Sequence, residues 1–333
     1  MGSRPKLSVV IPSYNTCIYI VDSISSVVND VPSAEIIVVD DASTDDTIDL
    51  LKSLNLKQLQ IIELKQNTPG GAGKPSNLGV EKASGEYIAF LDSDDFIFPG
   101  YLSRMIRKMD SSGADLCVSS YKMIDAISHS EHPPYDNSVW NNFTRGKESG
   151  SLAMEQYFLL SPEPWRKIYH SRIFKDDRIR FPVNGWFNED YPFHWLCGLG
   201  SRKGVVFINC QDYFHRISRS GQTTSAFDER IFCVFDHTKV IMEFINQDKH
   251  LTKYLGSLLN WLLLGAWKTN YLKVRLEEYY KKFRKLILSF NEDAVARFHS
   301  VALWEQKRAY RNIKKYDDVH VFVKKMRWPD SEK

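Results

Sequence analysis

Directly after the apolar run "YIAFL" (residues 87–91), the chain places Asp92, Ser93, Asp94 and Asp95 in succession. Carboxylates packed this closely repel one another and call for a counter-charge. Two of them at i and i+2 can hold a hard divalent cation and leave coordination positions open for phosphate oxygens. Mg²⁺ or Mn²⁺ held there would neutralise a diphosphate leaving group as a Lewis acid. An isolated acidic turn is ordinarily a solvated cap. Here the cluster lies between a buried strand and a helix, which favours the cation.

The elements that must position this cluster are legible on either side of it. "LSVVI" (residues 7–11), "EIIVVD" (35–40), "LQIIEL" (59–64), "YIAFLD" (87–92) and "DLCVSSY" (115–121) read as strands. Helical patterns alternate with them: "YIVDSISSVVN", "DASTDDTIDLLKSL", "PSNLGVEKAS" and "GYLSRMIRKMDSSG". Ser43 or Thr44 is the expected N-cap of the second. This β-α rhythm predicts an α/β fold with a mainly parallel sheet covered on both faces. Pro12-Ser13-Tyr14-Asn15, Asp40-Asp41 and Asp92-Ser93-Asp94 each follow a strand. All three therefore belong at the carboxyl edge of the sheet, where open α/β folds bind nucleotide-sized ligands. From about Asp125 the rhythm breaks, and "HSEHPPYDNSVWNNFTRGKESGS" reads as a loop or insertion. An aromatic-rich stretch follows, from "EPWRKIYHSRIF" to "GWFNEDYPFHWL", and the pattern turns helical from Asp228 onward.

Composition excludes several classes. A hydrophobic content of 43% and a charged content of 26% are those of an ordinary soluble globular protein, and a net charge of +3 argues for no nucleic-acid partner. The basic excess is in the tail: from Arg297 onward there are ten Lys/Arg against five Asp/Glu. Five scattered cysteines without a C-x-x-C pair fit buried thiols in a reducing compartment rather than a zinc site or a disulfide framework. The N-terminal apolar run is too short for a signal peptide. No stretch is long enough to span a bilayer, and "LLNWLLLGAW" (residues 258–267) reads as a buried helix. The expectation is a cytoplasmic protein, acting in part at the inner face of the membrane.

"LSVVIPSYN", "EIIVVDDASTDDT", "NLGVEKASGEYIAFLDSDD" and, later, "NEDYPFHW" occur in that order. Together they resemble the family 2 glycosyltransferases of GT-A fold, which are inverting, use nucleotide sugars and assemble bacterial polysaccharides and other glycans. The resemblance is strong over residues 7–121, patchy over 163–225 and silent beyond 230. It implies a Rossmann-like catalytic domain at 5–225, with a nucleotide-sugar-binding half (5–122) and an acceptor-binding half (123–225). A helical, basic C-terminal region (226–333) follows.

The resemblance also implies roles. Pro12 and Tyr14 would line the base pocket, Asp41 would accept from the base imide, and Asp40 would orient that loop. Asn67 and Asn77 lie in the stretch that closes over the nucleoside. Many relatives carry an arginine just before the second asparagine; here Ser76 stands there, and Lys74 in the glycine-rich "TPGGAGKPSN" is the candidate to supply the positive charge. Asp94 would be the principal metal ligand, Asp92 would face ribose or metal beside Ser93, and Asp95 would support them from behind. Asp190 matches the general base, with Glu189 as second choice and Trp186 and Phe187 placed to stack on a sugar. In "YFHRISRSGQTTS", His215 is the candidate to complete the metal shell. Arg216 and Arg219 are candidate diphosphate contacts, their alternative being plain surface charge.

The function this implies is single displacement from a nucleoside-diphosphate sugar, a UDP-sugar first, to a hydroxyl of a saccharide or lipid-linked glycan. Rival readings are a sugar-phosphate nucleotidyltransferase and a non-catalytic glycan-binding protein. The first would want a Gly-rich basic loop after the first strand, where "PSYNTC" stands. The tail interleaves aromatics with Lys and Arg, as in "YYKKFRKLIL" and "QKRAYRNIKKY". Packing, with a self-association surface, is its main expected role. A weak electrostatic hold on an anionic acceptor or membrane face is the added one.

Overall fold

In the computed structural model, residues 4–68, 71–183, 188–219, 232–265 and 275–326 are described. Strand β1 (Leu7–Ser13) buries every side chain except that of Pro12, as a β-branched run in the middle of a covered sheet must. Helix α1 (Ile20–Asp30) turns Ile20, Ile24 and Val27 inward, and β2 (Glu35–Asp40) follows. Helix α2 (Thr47–Ser53), β3 (Leu59–Glu63), α3 (Gly73–Lys82) and β4 (Tyr87–Phe90) complete the nucleotide-sized half. Helix α3 lies so close to β1 that a Cβ on Gly79 would come within 2.2 Å of Val10. Ser43 and Thr44 do not cap α2: Ser43 is turned back onto Asp40, and the helix starts only at Thr47.

The chain continues through β5 (Phe96–Ile97), α4 (Tyr101–Ser112), β6 (Leu116–Ser119), β7 (Lys122–Asp125) and β8 (Glu131–His132). The stretch read as a loop or insertion forms helix α5 (Asn137–Thr144) and strand β9 (Ser149–Leu152). One anchor explains this: Trp140 is buried, donates its indole N–H to Asn209 at 2.9 Å and meets Phe207 edge-on. A single large side chain gives no periodicity to read. After α6 (Met154–Tyr157) and a 3₁₀ turn at Pro164–Arg166 come β10 (Lys167–His170), α7 (Asp190–Gly200), β11 (Val205–Ile208) and β12 (Tyr213–Ile217).

The main sheet has the order β3-β2-β1-β4-β10-β6-β11-β9. It is parallel from β3 to β4, as expected, but β10 runs antiparallel to both of its neighbours, which makes the sheet mixed. The strand order reverses around β1, so the crevice beyond β1 and β4 is the topological switch point. A second sheet, β5-β12-β7-β8, pairs β12 with β5 immediately after the acidic cluster.

The chain divides into two compact units, Met1–Thr224 and Ser225–Lys333. The second is helical: α8 (Cys233–Asn246), α9 (Leu255–Gly265), α10 (Leu276–Leu288), α11 (Glu292–Val301), α12 (Trp304–Lys315) and α13 (Val319–Met326). Leu258, Leu259, Leu262 and Leu263 are fully buried, in keeping with a core helix. Among the described residues no helix is long and apolar enough to cross a membrane. Within this unit a cleft of about 690 Å³ mixes Lys281, Arg284 and Lys285 with Glu277, Asp317 and Asp318, so opposite charges offset each other there.

Candidate active site

The three strand-end clusters meet at the switch point. Asn15, Ala42, Asn188 and Ser218, close in sequence to these clusters and to Asp190, adopt left-handed φ between 51° and 64°, as do Asn55, His129, Arg145 and Arg275 elsewhere, at φ between 45° and 59°. Non-glycine residues hold such angles where the surroundings over-determine them.

On the β1/β2 side, Asp40 accepts from the Ser43 backbone at 2.8 Å and its hydroxyl at 2.6 Å, which fixes the turn. Asp41 is buried and accepts from the Thr68 backbone (2.9 Å) and hydroxyl (2.8 Å) and from the Asn67 amide (3.2 Å). Burial raises its pKa, and the Thr68 hydrogen bonds and the Lys74 charge oppose the rise. Lys74 itself is exposed. It therefore presents an ammonium near Asp41, in the loop where Ser76 is buried. Asn77 is committed elsewhere: its amide spans the Phe181 backbone, donating at 2.8 Å and accepting at 2.9 Å. It is a strut between α3 and the Phe181 segment. Tyr14 is 45% exposed and free to meet a flat ligand, with Pro12 half-buried beside it.

At the acidic cluster, Ser93, Asp94 and Asp95 are buried and Asp92 is half-buried. Desolvation and mutual repulsion push the Asp92 and Asp94 carboxyls up, against the pull of His215 and Arg219. Asp95 is wholly enclosed. Its oxygens accept from the Tyr213 hydroxyl (2.9 Å), the His215 imidazole (2.9 Å) and the Arg216 backbone (2.7 Å). The β5–β12 pairing produces this contact. Burial opposes protonation of His215, but Asp95 and then Asp92 and Asp94 prevail, and its pKa is raised to about 9. Arg219 pairs with the Asp94 carboxylate, and Arg216 donates to the Asp94 carbonyl.

Donor atoms of Asp92, Asp95 and His215 lie within 4.8 Å of one another. Two hard oxygens and an imidazole suit Mn²⁺ or Mg²⁺. The converging carboxylates are those of Asp92 and Asp95, while Asp94, expected as principal ligand, faces Arg219. Asp95 already satisfies three donors, one of them His215 Nδ1. Its hydrogen bond to Nδ1 fixes the orientation of the imidazole beside Asp92.

The base candidate Asp190 opens α7 and is partly buried. Burial first, then the neighbouring charges of Glu189, Asp92 and Glu163, raise its pKa, and Lys167 opposes them. The influence of Asp92 puts base and acidic cluster in one electrostatic field. Glu189 has a distinct job: its Oε1 accepts from the Ala72 backbone at 3.2 Å and braces the glycine-rich loop. Gly71 beside it has φ +87°, and a Cβ there would fall 2.7 Å from that same oxygen. Trp186 and Phe187, expected to stack on a sugar, lie outside the described residues.

Sequence reasoning missed the floor of the site. Arg166 is fully buried, paired with Asp136 at 2.7 Å and bonded to the Ser119 carbonyl at 2.7 Å. Lys167, 1% exposed, donates to the Glu163 carbonyl at 2.6 Å, and burial lowers its pKa to about 7. Two adjacent cations entering the apolar strand "KIYH" were the available signal. Asp136 sits in polar sequence and gave none.

The Glycosyl transferase family 2 model matches residues 8–176. The poly(ribitol-phosphate) beta-N-acetylglucosaminyltransferase TarS of Staphylococcus aureus is 28% identical over 82% of this chain and 47% of its own. A poly(ribitol-phosphate) beta-glucosyltransferase of Bacillus spizizenii is 29% identical over 66% of this chain and 33% of its own. The chain thus spans half or less of the length of these relatives. The crystal structure of S. aureus TarS 1–349 in complex with UDP-GlcNAc superposes with a TM-score of 0.76 at 19% identity, covering 96% of this chain and 90% of that one. The shared fold is that of a mixed α/β sheet domain followed by helices.

Proposed function

The chain belongs to glycosyl transferase family 2, and from that membership we propose that it moves a hexosyl or N-acetylhexosaminyl group from a UDP-sugar to an acceptor hydroxyl, with inversion. The carrying observation is that the segment Trp165–Lys167 joins the Asp92/Asp95/His215 cluster, through the stacking of Trp165 on His215, to helix α7 that Asp190 opens, through Lys167, Tyr157 and His194. The raised pKa of Asp190 makes its carboxylate a stronger base than an ordinary aspartate.

In this reading Tyr14, Asp41 and Lys74 face the nucleoside, Ser93 borders the ribose, and Arg216 and Arg219 border the diphosphate. A divalent cation held by Asp92 and His215, with Asp94 at its side, would supply Lewis-acid stabilisation of the departing diphosphate. Asp190 accepts the proton of the acceptor hydroxyl as that oxygen bonds to the anomeric carbon. The bond from that carbon to the diphosphate oxygen breaks, and UDP leaves. Two relatives are named for poly(ribitol phosphate), so a hydroxyl of an anionic alditol-phosphate polymer or other glycan is the acceptor class to test first. The basic second unit adds a weak hold on such a polymer or on an anionic membrane face, and its packed helices offer a self-association surface.

Incubation with radiolabelled UDP-GlcNAc or UDP-glucose and poly(ribitol phosphate), with Mn²⁺ or with EDTA, tests the reading. Metal-dependent UDP release with label in the polymer supports it. Pyrophosphate exchange would indicate a nucleotidyltransferase, and binding without turnover a glycan-binding protein.

A further inference from the structure

We propose that Glu163 is an acceptor-binding residue whose carboxylate takes a hydrogen bond from a hydroxyl neighbouring the one that Asp190 deprotonates. This rests on the glycosyl-transfer reading above and adds to it a named residue for acceptor recognition.

Glu163 is placed by its neighbours between the two halves of the site. Its backbone carbonyl is fixed by the buried Lys167 ammonium at 2.6 Å. Two residues on, Trp165 stacks on Tyr213 (centroids 4.3 Å apart) and on His215 (5.1 Å), which joins the segment to the acidic cluster. In the other direction, Lys167 lies over the Tyr157 ring at 5.9 Å, and Tyr157 stacks at 4.1 Å on His194, one turn beyond Asp190 on α7. The segment therefore bridges from the His215 side to the floor beneath the base. The Glu163 charge is felt at Asp190, in accord with this placement.

The carboxylate itself is unsatisfied. Glu163 Oε2 is buried with no hydrogen-bond partner among the described residues. Neither nearby cation bonds this carboxylate: Arg166 uses Nε and Nη1 on Ser119, Asp136 and Ser161, and Lys167 donates to the carbonyls of Glu163 and Ser161. Ser120 Oγ, Asp136 Oδ1 and Arg166 Nη2 are also buried and partnerless there. Buried polar atoms of a native protein normally find a partner, and a carboxylate oxygen left without one is costly. Glu163 as a residue remains part-exposed, and in this proposal an acceptor hydroxyl beside Asp190 meets the carboxylate from that open side and supplies the donor that the protein does not.

Glu163→Gln keeps the shape and removes the charge. Measured on poly(ribitol phosphate) with UDP-GlcNAc, it is expected to raise the acceptor KM by about 10- to 100-fold, with kcat falling less. UDP affinity and melting temperature should match the wild type. Glu163→Asp retains the charge but retracts it, and is expected to raise the acceptor KM in the same sense, which covers the case of a poorly folded Gln variant. An unchanged acceptor KM in both variants would overturn the proposal and leave the carboxylate as the holder of a bound water only. A loss shared equally by UDP binding and transfer would overturn it in favour of a structural role. If the wild type transfers sugar to no hydroxyl acceptor, the glycosyl-transfer reading itself fails, a result visible without any variant.

Discussion

The His215 imidazole meets the Asp95 carboxylate at 2.9 Å, across a sequence separation of 120 residues. The carboxylate can only accept, so Nδ1 carries the shared proton and Nε2 points away from Asp95. One buried aspartate thus fixes the orientation of the imidazole. The same aspartate holds the Tyr213 hydroxyl and the Arg216 backbone, so strand β12 is locked in register against it.

That arrangement yields a metal test. Mn²⁺ binding to the native state should raise the melting temperature by mass action. Asp92→Asn is expected to abolish that shift. Asp94→Asn should also abolish turnover, as family resemblance implies, but here it additionally releases Arg219. Normal Mn²⁺-dependent activity in Asp94→Asn would remove that residue from the metal site.

Asp190→Asn should leave UDP affinity intact and reduce transfer by about 10²–10⁴-fold, the usual scale for a general base. Glu189→Gln keeps an acceptor for the Ala72 amide and should be milder. Comparison of single-turnover rates with UDP dissociation constants checks both. A parallel loss of UDP affinity in Asp190→Asn would reduce it to a helix cap.

Gly71→Ala should act on donor binding rather than chemistry. Its φ of +87° suits glycine, and the new methyl would press on Glu189. If the substituted loop relaxes in the free protein and must be forced back to bind the donor, a penalty of about 1–2 kcal/mol for the backbone conformation raises the UDP-sugar KM on the order of tenfold. Steady-state kinetics showing an unaltered donor KM would mean that the loop does not close on the nucleotide.

Lys167 should make stability depend on alkaline pH. Its folded pKa is about 7, against 10.5 for an ordinary lysine. Between those values the unfolded chain binds a proton that the native chain does not, so this group's contribution rises with pH across that window. Below it, the charged ammonium must stay buried and the contribution is least. Denaturant midpoints at pH 7 and pH 10 should therefore differ more in the wild type than in Lys167→Met. An identical pH dependence in the two proteins would show that Lys167 is an ordinary lysine.

The strands and helices of residues 7–121 were legible because their signals are local. β-Branched runs, apolar spacing at helical intervals and strand-end carboxylates each depend on a few adjacent residues. Asp41, Asp92 and Asp94 could be placed at the sheet edge on that basis, since parallel strands share one carboxyl end. Residue order also aligned Asp190 with a family motif. Pairing between distant segments was beyond its reach. Which carboxylate meets His215 depended on β12 joining β5, and the commitment of Asn77 depended on where the Phe181 segment returns. The antiparallel insertion of β10, with Lys167 and Arg166 under the site, left only two cations in an apolar strand as a trace. Burial and long-range pairing are collective properties of the folded chain, and they alone turned these charges inward.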